Sequence, residues 1–369
     1  MSRRPLILFI GEPVEEPEEG GGVSLLNLTR QLGRLSAPTV YCASAPFTNL
    51  RRFVVYLIRS RLLIRFLNPF YRRYLISPGH RISPGVLALL RPFCVPLYFH
   101  FSDEPRMQFR ELGIEPRGDE VELSGRLLDL CLEKFRVVGV VSPGLAELYP
   151  QYATKFVEVS NAAEPSHFVV RELPEHPTVA LVGSTSPGRG ADLLIEACAR
   201  ARADVPDLTL RLALRDIEGR GNLGVLKERY GSHRWVSFET VDYEGVPEFL
   251  ARSRVCVVPH RRSRYADLAR TLKIFDYLAA ARPVVTTDCP ASAEIVTGYK
   301  CGLVCRADPA DMAAKIARLL LDRPLAAELG RNGRNAVATD LNWSSTTRAA
   351  RELLEREITS PHAAKRPRA

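Results

Sequence analysis

The chain has 369 residues, 46% of them hydrophobic and 25% charged, as in a soluble globular protein of about two domains. No run of about 18 uncharged apolar residues occurs, so no membrane span is predicted. Met1-Ser2-Arg3-Arg4 is not followed by a secretory signal pattern. The eight cysteines are scattered without zinc-site spacing, which indicates buried thiols in a reducing compartment. These features predict a cytoplasmic protein.

The net charge of +9 is concentrated in one segment. Between Glu19 and Asp103 there are eleven arginines and no aspartate, glutamate or lysine. The remainder of the chain is therefore close to neutral. Such a basic segment indicates an anionic partner, which is a membrane surface, a nucleic acid or a phosphorylated substrate.

The first predicted strand, Leu6 to Gly11, leads through an acidic loop into a glycine run. Gly21 and Gly22 of this run precede an amphipathic helix from Val23 to Leu35. A strand, a glycine loop and a helix make the layout of an anion cradle at a helix N-terminus. The Lys-Ser/Thr pair of a P-loop is missing, and a glycine run is equally a plain flexible turn.

A basic helix is predicted from Arg51 to Leu67, with Phe53, Leu57, Ile64 and Leu67 on one side. The other half carries five arginines: Arg51, Arg52, Arg59, Arg61 and Arg65. This pattern fits an interfacial helix on anionic lipid, and it also fits a core-packed helix with a solvated arginine face. The lack of acidic residues favours the membrane, because ordinary solvated faces mix both signs of charge.

A strand predicted from Val95 to Asp103 carries His100 and Asp103 at its carboxyl end. Ligands bind at that end of strands in open α/β sheets, so both residues are candidates, although a lone histidine is often structural. Further strands and helices alternate as far as Asn161, which predicts a parallel sheet.

A second α/β unit is predicted after a linker from Glu164 to Pro177. Strands and helices alternate again as far as Ala338, and two such units joined by a linker imply a cleft between them. A last helix, Ser344 to Ile358, precedes a basic tail that is predicted to be disordered.

The stretch from Arg270 to Asp288 predicts a helix from about Thr271 to Ala281 and a buried strand from Val284 to Thr287. Lys273 and Asp276 are three residues apart and share one helix face near its start. An ammonium suits a phosphate and a carboxylate suits ribose hydroxyls, which together indicate a nucleotide. The alternative is a solvated ion pair between the two side chains.

The second half resembles the retaining, nucleotide-sugar-dependent glycosyltransferases of the GT-B fold, glycosyltransferase family 4 (glycosyl transferases group 1). The matching segments occur in the family's order: Val140–Leu145, Val159–Asn161, His167–Phe168, Val182–Ser184, Pro187–Leu194, Val255–Pro259, Lys273–Val285, Ala293–Val296 and Gly302–Val304. The resemblance covers residues 137 to 345 well and the first half loosely. It implies two Rossmann-like α/β domains that face a cleft, with a C-terminal helix that returns to the first domain.

The resemblance also implies roles for single residues. On the donor side, Gly183, Ser184 and Arg189 belong to the phosphate loop, and Lys273 lies near the phosphates. Asp276 takes the place of the family's second glutamate. Glu294 lies near the donor sugar or a helix start. On the acceptor or sugar side it implies Gly21, Gly22 and His100, and Asp103 joins them as a candidate from its place at the carboxyl end of the strand. His100, Arg189 and Lys273 are the catalytic candidates, and no metal or other cofactor is expected, because no Asp-x-Asp motif occurs.

Two positions depart from the family pattern. Eight residues before Asp276, where the family has its first glutamate, stands Leu268. Ser184 replaces an arginine of the phosphate loop, and Arg261, Arg262, Arg264 or Arg270 could supply the missing charge. These departures also leave open a non-catalytic GT-B protein that binds a sugar or a partner.

The expected protein is a retaining hexosyltransferase that uses a UDP- or GDP-sugar and a lipid-linked or polysaccharide-precursor acceptor. The expected domains are residues 1–165 on the acceptor side, 170–342 for the nucleotide sugar, a helix at 343–358 that packs back on the first domain, and a tail at 359–369. Its place is the cytoplasm, at the inner face of the membrane if the arginine segment binds lipid. Nucleic acid is not an expected partner, because the arginine segment lacks the aromatic interleaving of a known module.

Overall fold

The computed structural model describes residues 4–10, 27–42, 51–52, 54–55, 71–77, 83–112, 118–216 and 221–359. The chain forms two compact units. The first comprises Met1–Glu104, Asp119–Ser160 and Thr346–Ala369, and the second comprises Pro105–Gly118 and Asn161–Ser345. The C-terminal helix is thus part of the first unit, and the short segment Pro105–Gly118 is part of the second.

The first unit contains a six-stranded parallel sheet with the strand order β2-β1-β3-β4-β5-β6. Its strands are β1 (Arg4–Ile10), β2 (Thr39–Cys42), β3 (Tyr71–Ser77), β4 (Cys94–Phe101), β5 (Val137–Val140) and β6 (Phe156–Glu158). Its helices are α1 (Pro84–Leu90), α3 (Glu120–Lys134), α4 (Pro143–Glu147) and, at the C-terminus, α14 (Arg348–Thr359), while α2 (Pro105–Leu112) lies between β4 and α3 in sequence.

The C-terminal helix α14 is bonded to the first unit by polar contacts of its last turns. Glu355 accepts hydrogen bonds from the backbone and hydroxyl of Ser36 at 2.6 and 2.7 Å. Glu357 pairs with Arg136 at 3.2 Å. Leu354 and Ile358 of the same helix are buried.

The second unit contains a six-stranded parallel sheet with the order β12-β11-β10-β7-β8-β9. Its strands are β7 (Thr178–Ser184), β8 (Thr209–Arg215), β9 (Val236–Glu239), β10 (Val255–Val258), β11 (Val284–Thr287) and β12 (Gly302–Cys305). Its helices are α5 (Ala191–Ala201), α6 (Leu223–Tyr230), α7 (Val246–Ala251), α8 (Arg264–Leu268), α9 (Leu272–Ala279), α10 (Pro290–Gly298), α11 (Pro309–Leu321), α12 (Arg323–Thr339) and α13 (Trp343–Thr346).

Alternate side chains of the second sheet face two different apolar cores. On β10, Val255 and Val257 pack into the core that contains α5 and α11, whereas Cys256 and Val258 pack with α7, α9 and α12. This two-residue period follows from the pleat of a strand. Because both faces are covered by helices, the strands read in sequence as continuous apolar runs.

Arginines bind the irregular segment that precedes β7 to the rest of the second unit. Arg254, Arg282 and Arg323 donate hydrogen bonds to backbone carbonyls of residues 171–174, and Arg334 donates to Pro165 O. Arg282 is fully buried, and its other donors reach Ala280 O and Ser253 O. Buried backbone carbonyls need such donors, so these arginines make an irregular segment an ordered part of the unit.

Several predictions lie outside the described residues. They are the glycine loop with Gly21 and Gly22, the arginines Arg59, Arg61 and Arg65, and the tail from residue 360 onwards. Of the basic helix, residues 51–52 and 54–55 are helical, and Arg51 and Arg52 are exposed. No helix of the described part combines the length and apolar character needed to cross a bilayer.

Candidate functional site

The order of the strands marks one place in the second unit as a binding site. The neighbouring strands β7 and β10 are followed by connections that lead to opposite halves of the sheet, to β8 and to β11. Ligands of open α/β sheets bind at such a switch point, beyond the carboxyl ends of the strands. Gly183 and Ser184 end β7, and His260 follows β10 by two residues.

Arg189 belongs to a single helical turn, Pro187–Arg189, between β7 and α5. This turn packs against the segment after β10 through the backbone. Arg261 N donates to Gly188 O at 3.0 Å, and Gly190 has a φ of +69°. A Cβ atom on Gly190 would lie 1.9 Å from Pro259 O, so glycine is the residue that permits this approach. The packing places Arg189 at the N-terminus of α5, which no side chain caps.

His260 is buried and holds the guanidinium of Arg189. Arg189 Nη1 donates to His260 Nε2 across 3.2 Å, which requires a neutral imidazole with its proton on Nδ1. Burial, with the charges of Arg189 and Lys273, lowers the pKa of His260 well below its usual value. Among the described residues Nδ1 has no hydrogen-bond partner.

Lys273 lies in the first turn of α9 and extends over Gly183. A Cβ atom on Gly183 would be 2.5 Å from Lys273 Nζ. The helix is anchored to β7, because Tyr277 Oη accepts a hydrogen bond from Val182 N at 2.9 Å. Burial, together with the charge of Arg189, lowers the pKa of Lys273 to about 7. Two cationic side chains therefore approach one another beside the end of β7.

Asp276 lies one turn further along α9 and is only 8% exposed. Burial raises the pKa of its carboxyl group to about 8. Within the described part of the chain, no ion pair joins Asp276 to Lys273. The alternative of a solvated ion pair is therefore wrong: Asp276 is buried and Lys273 is half-buried, and the desolvation of such groups is unfavourable unless something binds them.

Together, these cationic and carboxyl groups suit a ligand that has a doubly or triply charged anionic group and, next to it, polar groups such as hydroxyls. Arg189, Lys273 and the first N–H groups of α5 provide positive charge and donors, as a phosphate group requires. Asp276 adds one carboxyl group a helical turn away. The described residues contain no group of three or more His, Cys, Asp and Glu side chains suited to a metal ion.

Two other donor-side candidates are placed differently from this cluster. Ser184 Oγ lies 3.5 Å from Ser186 Oγ at the end of β7. Glu294, on α10, is 69% exposed and pairs with Arg270 at 3.3 Å. In the part of the chain that is described, no hydrogen bond or ion pair connects Glu294 with Arg189, Lys273 or Asp276.

Three of the four arginines expected to replace the missing charge at Ser184 are already paired. Arg261 pairs with Asp192 at 2.7 Å, and Arg262 makes two bonds to Asp267 at 2.7 and 2.8 Å. Arg270 pairs with Glu294. Lys273 is therefore the better placed second cation of the site, because no protein carboxylate of the described residues neutralises it.

In the first unit, His100 and Asp103 lie at the carboxyl end of β4. His100 is buried, and its Nδ1 is 3.1 Å from Tyr98 Oη. Its imidazole lies over Gly139 of β5, where a Cβ atom would be 3.0 Å from Nδ1. Asp103 is half-buried in the loop that follows β4.

Sequence reasoning did not single out His260. It occupies the position that had made His100 a candidate, just beyond the carboxyl end of a buried strand, so the same rule applied to β10 would have found it. The helices α2 and α8 were also missed. Each is short, and α2 packs with residues about 150 positions later in sequence, for which a local pattern carries no signal.

Part of the second unit matches a family model. Residues 176–322 match the family model described as Glycosyl transferases group 1. No curated protein sequence matches the chain. The matched residues include Gly183, Arg189, His260, Lys273 and Asp276.

Solved structures resemble almost the whole chain. Sucrose-phosphate synthase from Thermosynechococcus elongatus matches with a TM-score of 0.71 and 19% identity, over 96% of this chain and 99% of that one. HepE from Anabaena, in complex with UDP and glucose, matches with a TM-score of 0.67 and 14% identity, over 94% of this chain and 98% of that one. WaaG, a glycosyltransferase involved in lipopolysaccharide biosynthesis, matches with a TM-score of 0.65 and 14% identity, over 96% of this chain and 100% of that one. The chain therefore has the GT-B fold, and its residues 176–322 are similar to the glycosyl transferases group 1 family.

Proposed function

We propose that the protein is a retaining glycosyltransferase that moves a hexose from UDP- or GDP-sugar to an acceptor hydroxyl. The observation that carries this proposal is the cluster of Arg189, Lys273 and Asp276 beside the β7–β10 switch point. Arg189 and Lys273 match a diphosphate, and Asp276 matches the ribose hydroxyls. The group 1 family match and the UDP held by HepE support the same donor class.

The cations would act on the leaving group. When the bond between the anomeric carbon and the diphosphate oxygen breaks, the electron pair stays on the diphosphate and its negative charge increases. Arg189, Lys273 and the N–H groups of α5 would stabilise this charge more strongly than that of the bound donor, which is how preorganised groups accelerate a reaction. The acceptor oxygen then bonds to the same face of the sugar, and its proton is released.

The direct test is a panel of UDP- and GDP-sugars with release of the nucleoside diphosphate as the readout. We expect release with at least one donor, and the anomeric configuration of the product, read by NMR, should equal that of the donor. Inversion would contradict the retaining mechanism. Absence of turnover and of binding with every donor would reject the proposal as a whole.

A non-catalytic binding protein is the second candidate, and two sequence positions favour it. Leu268 occupies the place of the family's first glutamate, and Ser184 replaces an arginine. Leu268 makes no polar contact to the donor sugar, and Ser184 supplies no positive charge to the phosphates. Binding of a nucleotide sugar without turnover, in the presence of a range of acceptors, would decide for this candidate.

For the acceptor, we propose a lipid-linked or polysaccharide-precursor molecule at the cytoplasmic face of a membrane. The acid-free arginine segment supports this, and Arg51 and Arg52 are exposed beside the exposed side chains of Val54 and Val55. WaaG, with its part in lipopolysaccharide biosynthesis, offers a precedent in a similar fold. His100 and Asp103, together with Gly21 and Gly22, are the proposed sugar and acceptor contacts.

Membrane binding can be tested with the two exposed arginines. Replacing Arg51 and Arg52 by glutamine should weaken co-sedimentation with anionic liposomes, since each basic residue near such a surface contributes about 1 kcal/mol, or roughly fivefold per residue. Glutamine at the exposed Arg200 and Arg318 of the second unit, which changes the net charge equally, serves as the control. Equal binding of both double variants would remove these arginines from the membrane contact.

A further inference from the structure

Helix α2 of the second unit lies against α8 and against the turn that carries Arg189. Polar contacts with Tyr265 join the helices. Glu111 Oε2 accepts a hydrogen bond from Tyr265 N at 2.6 Å, and Gln108 Nε2 donates to Tyr265 Oη at 3.3 Å. These two contacts of α2 converge on the same residue of α8.

The N-terminus of α8 is held at two points. Ser263 caps the helix by accepting from Ala266 N at 3.1 Å, and Glu111 binds the Tyr265 N–H that would otherwise lack an acceptor. Burial opposes the charge on Glu111, but the bonds from Tyr265 N, Arg110 and Ser263 lower its pKa overall. Glu111 is thus ionised at neutral pH, and its bond to Tyr265 N is charge-assisted.

The ring of Tyr265 is 2% exposed, and the guanidinium carbon of Arg189 lies 5.9 Å from its centroid. That distance is within the range of a cation–π contact. Arg189 is carried by one isolated helical turn, and a long side chain on such a turn has many rotamers. Contacts with His260 Nε2 and with the Tyr265 ring both restrict the positions open to the guanidinium.

We infer that Tyr265 is a positioning residue of the donor site: its ring, set in place by Gln108 and Glu111 of α2, orients Arg189 toward the diphosphate. This inference rests on the proposed function. Preorganisation matters here because an arginine that must be ordered on binding loses affinity through side-chain entropy. A buried tyrosine with only a packing role would instead affect the stability of the fold and all ligands alike.

The test measures the affinity of UDP and GDP, with uridine and guanosine as phosphate-free probes. For Tyr265→Leu we expect a 3- to 30-fold weaker binding of the diphosphate and no change for the nucleoside. Tyr265→Phe keeps the ring and loses only the bond from Gln108, so its loss should be smaller than that of Tyr265→Leu and equal to that of Gln108→Ala. Tyr230→Leu is the matched control, because Tyr230 is another buried tyrosine with an arginine, Arg229, over its ring at 5.0 Å.

A double-mutant cycle separates positioning from general packing. In an Arg189→Ala background, Tyr265→Leu should cause no further loss of diphosphate affinity, because the group it orients is gone. An additive loss, or an equal loss for the nucleoside, would overturn the inference. So would unchanged diphosphate binding in Tyr265→Leu.

A second variant avoids emptying the core, in case Tyr265→Leu does not fold. Gln108→Ala removes only the bond to the phenol and should weaken diphosphate binding about 2- to 10-fold. Wild-type affinity in this variant, with a misfolded Tyr265→Leu, would count against the inference. If the wild-type protein binds neither UDP nor GDP, the proposed function fails and the inference fails with it. If the wild type binds and neither Tyr265→Leu nor Gln108→Ala weakens diphosphate binding, the inference alone is refuted.

Discussion

Replacement of Lys273 by methionine should weaken the binding of UDP or GDP by roughly 30- to 1000-fold, or about 2 to 4 kcal/mol. Methionine is close to lysine in length and keeps the apolar part of the side chain beside Gly183, so the change removes mainly the ammonium group. The loss should be large because Lys273 is half-buried, so that water replaces the lost ammonium group only in part. Isothermal titration with the nucleoside diphosphate measures it.

Uridine and guanosine should bind to Lys273→Met as they bind to the wild type, since they carry no phosphate. The matched control is Lys227→Met, a lysine that is exposed on α6 and lies outside the site. An equal loss for nucleoside and diphosphate would show that the substitution disturbs the fold and not a phosphate contact. Unchanged diphosphate affinity would refute the role of Lys273.

The same lysine predicts a pH dependence. Its pKa is lowered to about 7 in the free protein, and the bound diphosphate favours the protonated form. Above pH 7 binding therefore has to take up a proton, and the affinity should fall with rising pH by at most about tenfold per unit. Between pH 7 and 9 the wild type should show this slope and Lys273→Met should not. Identical slopes in both proteins would contradict the assignment.

Gly190→Ala should produce the largest loss of stability. The residue has a left-handed φ of +69°, and the new Cβ would lie 1.9 Å from the carbonyl oxygen of Pro259. The unfavourable conformation and the forced displacement of backbone each contribute about 1 to 3 kcal/mol. We expect the midpoint of thermal unfolding to fall by roughly 5 to 10 °C. Diphosphate binding should weaken too, because the displaced carbonyl directly precedes His260.

Gly224→Ala provides the control for this substitution. Gly224 lies in α6 with no positive φ, and no atom lies within 4 Å of its added Cβ. Alanine there should leave the unfolding midpoint unchanged or raise it slightly, since it reduces the freedom of the unfolded chain. If Gly190→Ala is as stable as Gly224→Ala, the close packing of the Pro187–Arg189 turn on Pro259 is refuted.

The alternation of strands and helices could be predicted from sequence because it is local. The apolar runs gave β7, β10 and β11 to within a residue or two, and the period of α9 gave its buried face. Lys273 could be chosen for the same reason, since it stands at the start of a helix between two such strands. The GT-B fold expected from the resemblance is confirmed by structures that match almost the whole chain.

The finer parts of the site depend on contacts between distant residues. Nothing near Tyr265 indicates that Glu111 binds its backbone, because the pairing spans 154 positions of sequence. The pairing of Arg261, Arg262 and Arg270 with carboxylates was equally hidden, since any of them fitted the missing charge by type alone. The burial of side chains could not be predicted either. The spacing of Lys273 and Asp276 was compatible with an exposed ion pair, and only the packing of the helix shows that they do not form one.

The hydrogen bonds from arginines to the segment before β7 determine at which residue the second unit can be cut from the preceding chain without losing contacts. The family match begins at residue 176, yet the carbonyl groups that accept from Arg254, Arg282 and Arg323 belong to residues 171–174. A chain shortened to the start of the match would leave these guanidinium groups, one of them fully buried, without those acceptors. For dissection of the protein or for fusion to another one, the continuous part of this domain therefore starts at Asn161 and not at residue 176, and the segment Pro105–Gly118 also belongs to the compact unit.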